Sequence, residues 1–515
     1  MNASRFAALL ALSLAEGLGA AMLLATGARA QEREHNTWPG VVEHTDATGR
    51  SEGWMAGGPF VFKQPTPDPE GGTGTLSGFR PFWVQTASAS GERRSVWVLY
   101  PLFTYSADAN TYRWTLIDLI RRTDHRSDAP QPPSPLEPRG EFDIWPFWFS
   151  RQNGDPEASY RALFPVAGTL KHRLGFDRLS WLPFPLYVES ETHGAVTTST
   201  PWPFIRTTHG AAHGFALWPL FGWQERPGVS RDEFYLWPFA YNNTKQPAPD
   251  APVGTPPARQ VAVLPFYARA TGPGSFSEDF LWPFFGHTEK TAPTRYHETR
   301  YLWPFLVQGR GDDRMINRWG PFYTHSTIKG YDKTWYLWPI LRQSKWTEQG
   351  LAQTQIQVLW KIYWSLEQRS ARHPELPAAE VRHIWPLYSG WDNGAGRRQW
   401  QVLSPFETFF PGNEKVRQTW TPLVALIRFD QRAPGDTHTS LLWNAVSWER
   451  RTSEGASEFH LGPLFSIATH TDERRIALGN GLLGWRRGPA GAGWRFFWLD
   501  FPPKPTTVPA TPPAP

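Results

Sequence analysis

The chain has 515 residues, with 52 Lys and Arg against 47 Asp and Glu, 29 Trp, 50 Pro and no cysteine. Without a thiol there is no disulfide framework, no thiolate metal site and no lipid-bearing N-terminal cysteine. The formal charge is only +5, and basic residues are interspersed with acidic ones, which excludes the clustered basic face that nucleic acid requires.

In chain order, residues 1–30 read as a secretory signal peptide. Arg5 supplies the positive start, two apolar stretches follow on either side of Glu16, and Ala28-Arg29-Ala30 is a small-x-small cleavage site before Gln31. Export is therefore expected. No later apolar run approaches the length of a membrane-spanning helix.

From there to Phe501 one motif dominates, recurring every ~20 residues, and a fixed period of this kind sets the architecture. The full form is Leu-Trp-Pro-Phe, at Leu236–Phe239, Leu281–Phe284 and Leu302–Phe305. The Trp-Pro pairs that define it are Trp145-Pro146, Trp202-Pro203, Trp218-Pro219, Trp237-Pro238, Trp282-Pro283, Trp303-Pro304, Trp338-Pro339 and Trp385-Pro386. Weaker copies put Thr115, Lys361 and Asn444 in the proline position. Further prolines at 405, 422 and 463 continue the series.

Around each copy the residues are aromatic and aliphatic, as in Ser95–Tyr105, and such residues favour strands. Between copies lie polar turn segments such as Gly309–Asp313 and Trp391–Gly396. The pattern predicts an all-β, antiparallel up-and-down meander in residues 31–501. Two arrangements fit the period: one long strand per repeat, or a hairpin per repeat with the motif at the corner. The three longest gaps, Thr115 to Pro146, Pro238 to Pro265 and Lys361 to Pro386, all run from an odd-numbered copy to an even one. That favours one strand per repeat with long loops on one side. The expected fold is thus a single domain of about 22 to 24 strands, closed or nearly closed into a large barrel. Two gaps are Pro-rich and read as stiff surface loops, with Pro130, Pro132, Pro133, Pro135 and Pro138 in one and Pro247, Pro249, Pro252, Pro256 and Pro257 in the other. Gly493–Phe501 reads as the last strand, and residues 502–515 form a Pro-rich tail that cannot pair in a sheet.

Proline fixes φ and removes an N–H, and it holds the preceding Trp extended. Repetition would set a layer of indoles at one level. That layer is expected to be core, because Trp beside Leu and Phe at regular spacing packs. The alternative is that some ring faces line a groove for sugars or lipid tails. The charged turns, richer in Arg than Lys, read as a solvated rim, or more sharply as a contact for anionic lipid headgroups.

Chemical motifs are weak. Gly49-Arg50-Ser51-Glu52-Gly53 has the nucleophile-elbow spacing without a strand leading in, and reads as a turn. His209 and His213 are four apart but lie in a loop, not on a helix. Asp312-Asp313 lacks the further oxygens that calcium needs. No phosphate-cradling glycine loop is present. No catalytic residue, metal or cofactor is expected.

The signal peptide, meander and aromatic strands resemble the general class of bacterial outer-membrane β-barrels, and the motif resembles repeats of bacterial secreted proteins without assigned activity. The resemblance implies a non-enzymatic cell-envelope protein in, or associated with, the outer membrane, in contact with envelope lipids. The alternatives are a soluble periplasmic or extracellular protein binding glycans or lipids through its Trp side chains, and an exported hydrolase. Phe501 ends the last strand, but the tail that follows departs from the terminal aromatic residue of the barrel class.

Overall fold

The computed structural model describes residues 34–45, 50–68, 71–127, 129, 138–489, 491–497 and 499–501. The expected signal peptide, most of the first Pro-rich insert, Gly49 and the tail 502–515 lie outside the described residues.

The protein is all-β, an antiparallel up-and-down meander with 46 short strands among the described residues. Each strand has three to eight residues. The expectation of one strand per repeat is corrected: each ~20-residue repeat is a hairpin, two strands of about six residues and two turns. The stretch Ser95–Tyr105 shows how. β7 (Arg94–Val98) ends where Leu99–Leu102 turns the chain, and β8 (Phe103–Ala107) returns beside it. A single strand filling the repeat would be roughly 65 Å long. Chain reversal at the motif halves the unit instead.

Every motif turn joins an odd-numbered strand to the following even-numbered one. All motifs therefore lie on one margin of the meander, and all polar turns on the other. The same-parity long gaps have a plain cause: each begins after an even-numbered strand, β10 (Ile120–His125), β22 (Ala240–Lys245) or β34 (Tyr363–Ser370), all of which end at the polar margin. Thr115 is not a turn residue; it lies in β9 (Thr111–Leu116), and the turn follows at Ile117–Leu119. The copies at Pro405 and Pro422 make no tight hairpin turn, because the chain between Val402 and Ile427 does not reverse directly from strand to strand. The chain there forms two short helices, α1 (Glu414–Thr419), capped by the Asn413 side chain on the Val416 N–H, and α2 (Thr421–Val424). The expected final strand is itself a hairpin, β45 (Gly491–Phe496) and β46 (Leu499–Phe501), with Phe497 in a left-handed turn conformation.

Two compact units emerge: Pro67–Leu426, and Met1–Thr66 together with Ile427–Pro515. Within the larger unit its own first strands and last residues meet through the helical segment. The Trp97 indole N–H donates to the Thr419 hydroxyl, Arg80 Nε to the Gln418 carbonyl at 2.6 Å, and the Trp420 indole to the Tyr100 carbonyl at 2.9 Å. In the smaller unit, among the described residues, β1 (Glu34–Asn36) registers with β2 (Val41–Thr45) and β46 with β45, so the two terminal strands do not pair to close a barrel.

The best-packed apolar cluster lies on one face of β12 to β15 (Trp148–Gln152, Tyr160–Leu163, Ala167–Arg173 and Phe176–Trp181). Phe149, Tyr160, Ala162, Leu170 and Trp181 are all buried there. Gly168 is required by close approach, because a Cβ would stand 2.4 Å from the Ala162 Cβ and 3.0 Å from the Trp181 ring. Arg173 covers the Phe149 ring at 5.0 Å and grips the buried Asp143 carboxylate with both terminal nitrogens, at 2.9 and 2.5 Å. Leu170→Ala removes a side chain with 2% exposure from this cluster. Its expected cost is about 2–4 kcal/mol, read as a lower urea midpoint at unchanged slope.

Candidate functional site

All eight Trp-Pro pairs are turns on the motif margin of the larger unit, and all eight peptide bonds are cis. Each turn closes on itself. The residue after proline donates its N–H to the carbonyl three residues back: Phe239 to Leu236 at 2.8 Å, Phe305 to Leu302 at 2.7 Å, Ile340 to Leu337 at 2.7 Å. Turns also bond to their neighbours. Trp237 N–H donates to the Pro219 carbonyl at 2.7 Å, Trp338 N–H to Pro321 at 2.6 Å, and Trp303 N–H to Phe284 at 2.8 Å. The ladder therefore continues through the turns, and the missing proline N–H falls where no neighbour needs it. Leu236, Leu281 and Leu337 take φ of 46°, 47° and 48°, a left-handed conformation that a residue with a Cβ holds only when its surroundings enforce it.

The expectation that the indoles form a core is corrected. Seven of the eight are exposed, from 40% at Trp385 to 61% at Trp338; Trp218 is half-buried. Most of the residues after the prolines are exposed with them, including Phe147, Phe204, Phe239, Phe284 and Phe305. Neighbouring rings touch, Trp218 and Trp237 at 5.8 Å and Phe184 and Trp202 at 5.3 Å between centroids. The layer of rings exists, but it faces outward.

Strand registers extend this apolar line by one row. On one face, direct cross-strand partners run Ile205, Leu217, Phe221, Tyr235, Ala240, Val263, Tyr267, Phe280, Phe285. A second run goes Leu302, Leu306, Trp319, Tyr323, Tyr336, Leu341, Val358, Tyr363, Ile384, Tyr388, Val402. Every position in both runs is apolar or aromatic. Two residues further along the strands the same face carries Gln308, Asn317, His325, Thr334 and Gln343. The opposite face at the level of the apolar row carries Arg318, Thr324, Trp335, Arg342 and Gln357. The apolar band is thus one row plus the turns, about 10 Å deep at ~3.3 Å per residue.

The weaker sequence motifs stay weak. Ser51 opens β3 (Ser51–Ala56) in a hairpin, with no helix following. His209 and His213 are both exposed, at the end of β18 (Ile205–Gly210) and the start of β19 (His213–Leu217). Asp312 accepts from the Arg295 backbone at 3.0 Å and Asp313 from Thr294 Oγ1 at 3.1 Å, so both brace a turn.

Sequence reasoning missed a buried polar chain at His383, Ser389, Gln401 and Ser404. His383 Nδ1 lies 2.6 Å from Ser389 Oγ, Ser389 donates to Ser404 at 2.7 Å, and Gln401 donates to Ser404 at 2.9 Å. Because Ser389 spends its proton on Ser404, the histidine Nδ1 is the donor, and the serine is not activated as a nucleophile. All four side chains are buried. Burial, reinforced by the Arg417 charge, pulls the His383 pKa down to about 4. The unfolded side chain titrates near ~6.5. The neutral ring therefore contributes stability that is complete above pH ~6.5 and is lost as pH falls toward about 4, by about 3 kcal/mol at most. Urea midpoints measured between pH 7 and pH 4 check this, and His383→Gln should flatten the profile.

A scan against protein families finds no matching family, and a search of curated proteins finds no match.

The exposed rings contribute little to the fold. Trp303→Ala and Trp338→Ala should each lower stability by less than about 1 kcal/mol in urea unfolding, far below the cost of truncating a buried aromatic residue.

Proposed function

We propose that this is a non-enzymatic cell-envelope protein, exported and attached to the outer membrane, whose motif margin sits in the lipid interface. The observation that carries the reading is the concentration of exposed Trp, Phe and Tyr along one margin, with seven of eight motif indoles exposed there. Motif turns recur every two strands, about 9–10 Å apart. From Trp145 to Trp385 that makes an apolar line roughly 110 Å in contour. Contiguous apolar surface of that extent marks an interaction site. Its uniform chemistry, repeated turn after turn, suits a continuous apolar phase better than a discrete partner. Trp and Tyr suit the boundary itself, since each joins an apolar ring to a polar tip.

The depth of the band favours seating at the interface over spanning. A strand crossing a bilayer needs about 9–11 residues and an apolar outer belt about 25 Å tall. Here the strands have at most eight residues, and the apolar band is about 10 Å deep. That depth matches the ~5–10 Å to which interfacial elements sink into the headgroup and acyl boundary. Among the described residues no helix is long and apolar enough to cross a membrane. Arg and Lys in the polar turns of the opposite margin then face water.

Flotation with vesicles of phosphatidylethanolamine and phosphatidylglycerol, with or without lipopolysaccharide, tests the proposal. Wild-type protein should float with the vesicles, its Trp emission should shift to the blue, and brominated acyl chains should quench it. Phe322 stands 69% exposed on the same margin. The triple variant Trp303→Ser, Phe322→Ser, Trp338→Ser should bind at least about tenfold more weakly while still unfolding in one cooperative transition at a modestly lower midpoint. A wild-type protein that stays in the soluble fraction at millimolar lipid overturns the reading. Binding to a glycan array through the same tryptophans would replace it with the soluble alternative.

A further inference from the structure

The smaller unit holds a cluster of titratable side chains that the motif margin does not involve. Glu34 on β1 stands directly opposite His44 on β2. On β39 (Asp436–Leu441) and β40 (Val446–Arg451), His438 stands directly opposite Glu449. Each hairpin thus presents one imidazole and one carboxylate, and the two hairpins face each other. One ligand atom from each of the four side chains lies within 4.8 Å of every other. Among the described residues this is the one group of three or more such side chains drawn that close.

The hairpins are held in place by bonds that do not use the cluster's inner atoms. Glu34 Oε1 accepts from the Asn36 amide at 2.8 Å and from the Ser447 hydroxyl at 2.5 Å. The Glu34 N–H donates to Glu458 at 3.2 Å, and the Asn36 amide also donates to the Asn444 carbonyl at 2.8 Å. His438 Nε2 is 3.4 Å from the Asn444 side-chain oxygen, which leaves Nδ1 pointing inward, 4.0 Å from Glu34 Oε2. The His44 ring meets the His438 ring edge-on at 5.2 Å.

Glu34 is 1% exposed, and its Oε2 has no hydrogen-bond partner. A buried carboxylate oxygen with no partner is costly, and here it is aimed into a group of three further donors. We propose that Glu34, His44, His438 and Glu449 form a closed four-ligand site for a divalent cation of the zinc class, stapling the β1–β2 hairpin to the β39–β40 hairpin. Two imidazoles with two carboxylates are a borderline-soft N/O set. That set suits Zn²⁺ in tetrahedral geometry, and it does not suit Ca²⁺ or Mg²⁺, which take oxygen alone. Four protein ligands leave no open position, so the role is structural. Tetrahedral coordination at ~2.0–2.2 Å needs ligand atoms about 3.4 Å apart, so binding draws the four inward by roughly an ångström.

Protonation states and local charge support the assignment. Burial works to raise the Glu34 carboxyl, but His44, His438, His460 and the Ser447 hydroxyl outweigh it and hold it below the usual range. Burial pulls His44 down to about 4, so at neutral pH its ring offers a lone pair. Glu449 is pushed up by burial, against the Arg451 guanidinium that bonds it. A cation would reverse that direction. The hydrogen bonds behind the four ligands also fit. Asn444 holds the outer nitrogen of His438, Ser447 and Asn36 hold the outer oxygen of Glu34, and Arg451 holds Glu449. In a chain without cysteine, a metal is the available cross-link between strands 413 residues apart, the separation of Glu34 and Ser447.

The test uses the full-length exported protein, purified without a histidine tag. After chelation and dialysis, Zn²⁺, Mn²⁺ and Ca²⁺ are titrated by calorimetry and thermal shift, and Co²⁺ by visible absorption. One equivalent of Zn²⁺ should bind and raise the melting temperature, Ca²⁺ should do neither, and Co²⁺ should give the intense bands of a tetrahedral site. His438→Gln, which keeps a polar side chain at the hairpin, should weaken Zn²⁺ binding on the order of 10–100-fold or more. His209→Ala with His213→Ala removes exposed histidines elsewhere and should leave binding intact. If His438→Gln fails to fold, the Co²⁺ spectrum of the unaltered protein still decides the coordination. The proposal is overturned if no stoichiometric binding tighter than about 10 μM is seen, or if binding follows His209 and His213. It is overturned equally if Co²⁺ gives only weak octahedral bands, the cluster then being ion-paired histidines and nothing more.

Discussion

Proline has no N–H, and in this protein that single deficit organises the meander. A proline inside a strand would leave a neighbour's carbonyl without its donor. Placed in the turn, it costs nothing of the kind, because the carbonyl it exposes is itself taken up by the next turn along, as Trp237 takes up Pro219. The motif is therefore driven to the point of reversal, and its periodicity becomes a periodicity of turns. Once every motif reverses the chain, every repeat is a hairpin, and hairpins in series place all motifs on the same margin. The segregation of the molecule into an aromatic margin and a polar one follows from that geometry alone.

Energetically the protein rests on backbone pairing and many small cross-strand contacts. The described residues include few large side chains that are fully enclosed, and buried positions are often Ser, Thr, Ala or Gly. The cluster around Leu170 is where apolar packing is densest. Elsewhere, cross-strand polar pairs such as Thr197 with Thr208 and Ser277 with Thr288 tie neighbouring strands at 3.0 and 2.9 Å. Arg300 shows the charged version of the same device, contacting Asp279, Glu298 and Thr288 at once. Such ladders stabilise each strand against its neighbours without demanding a thick core, which leaves the large aromatic residues available to the margin.

Much of the fold was legible in the residues. Alternating aromatic segments and Gly, Asp and Asn turn signals point to an antiparallel all-β chain, and the chain is one. The strand count was wrong by a factor of two because both kinds of turn look different in sequence. Polar turn segments such as Gly309–Asp313 announce themselves, whereas Leu-Trp-Pro-Phe reads as strand by composition. Only the hydrogen bond from Phe239 back to Leu236 reveals it as a turn. The same mistake hid the helices after Pro405, where the Asn413 cap precedes a stretch with no clear apolar period. The two polar clusters were beyond sequence reasoning for a simpler reason. His383, Ser389, Gln401 and Ser404 come from three strands or their ends, and Glu34 meets His438 across most of the chain.

The amino-acid sequence by itself determined the repeat, the strand-rich class and the stock of aromatic side chains, because period and residue type are local properties of the chain. What only the tertiary structure decided is the direction those aromatic rings face and which distant side chains meet. Both depend on register and on hairpins packing across long separations in the chain. A row such as Leu306, Trp319, Tyr323 and Tyr336 becomes a surface only when strands pair one residue against another, and no single strand carries that information.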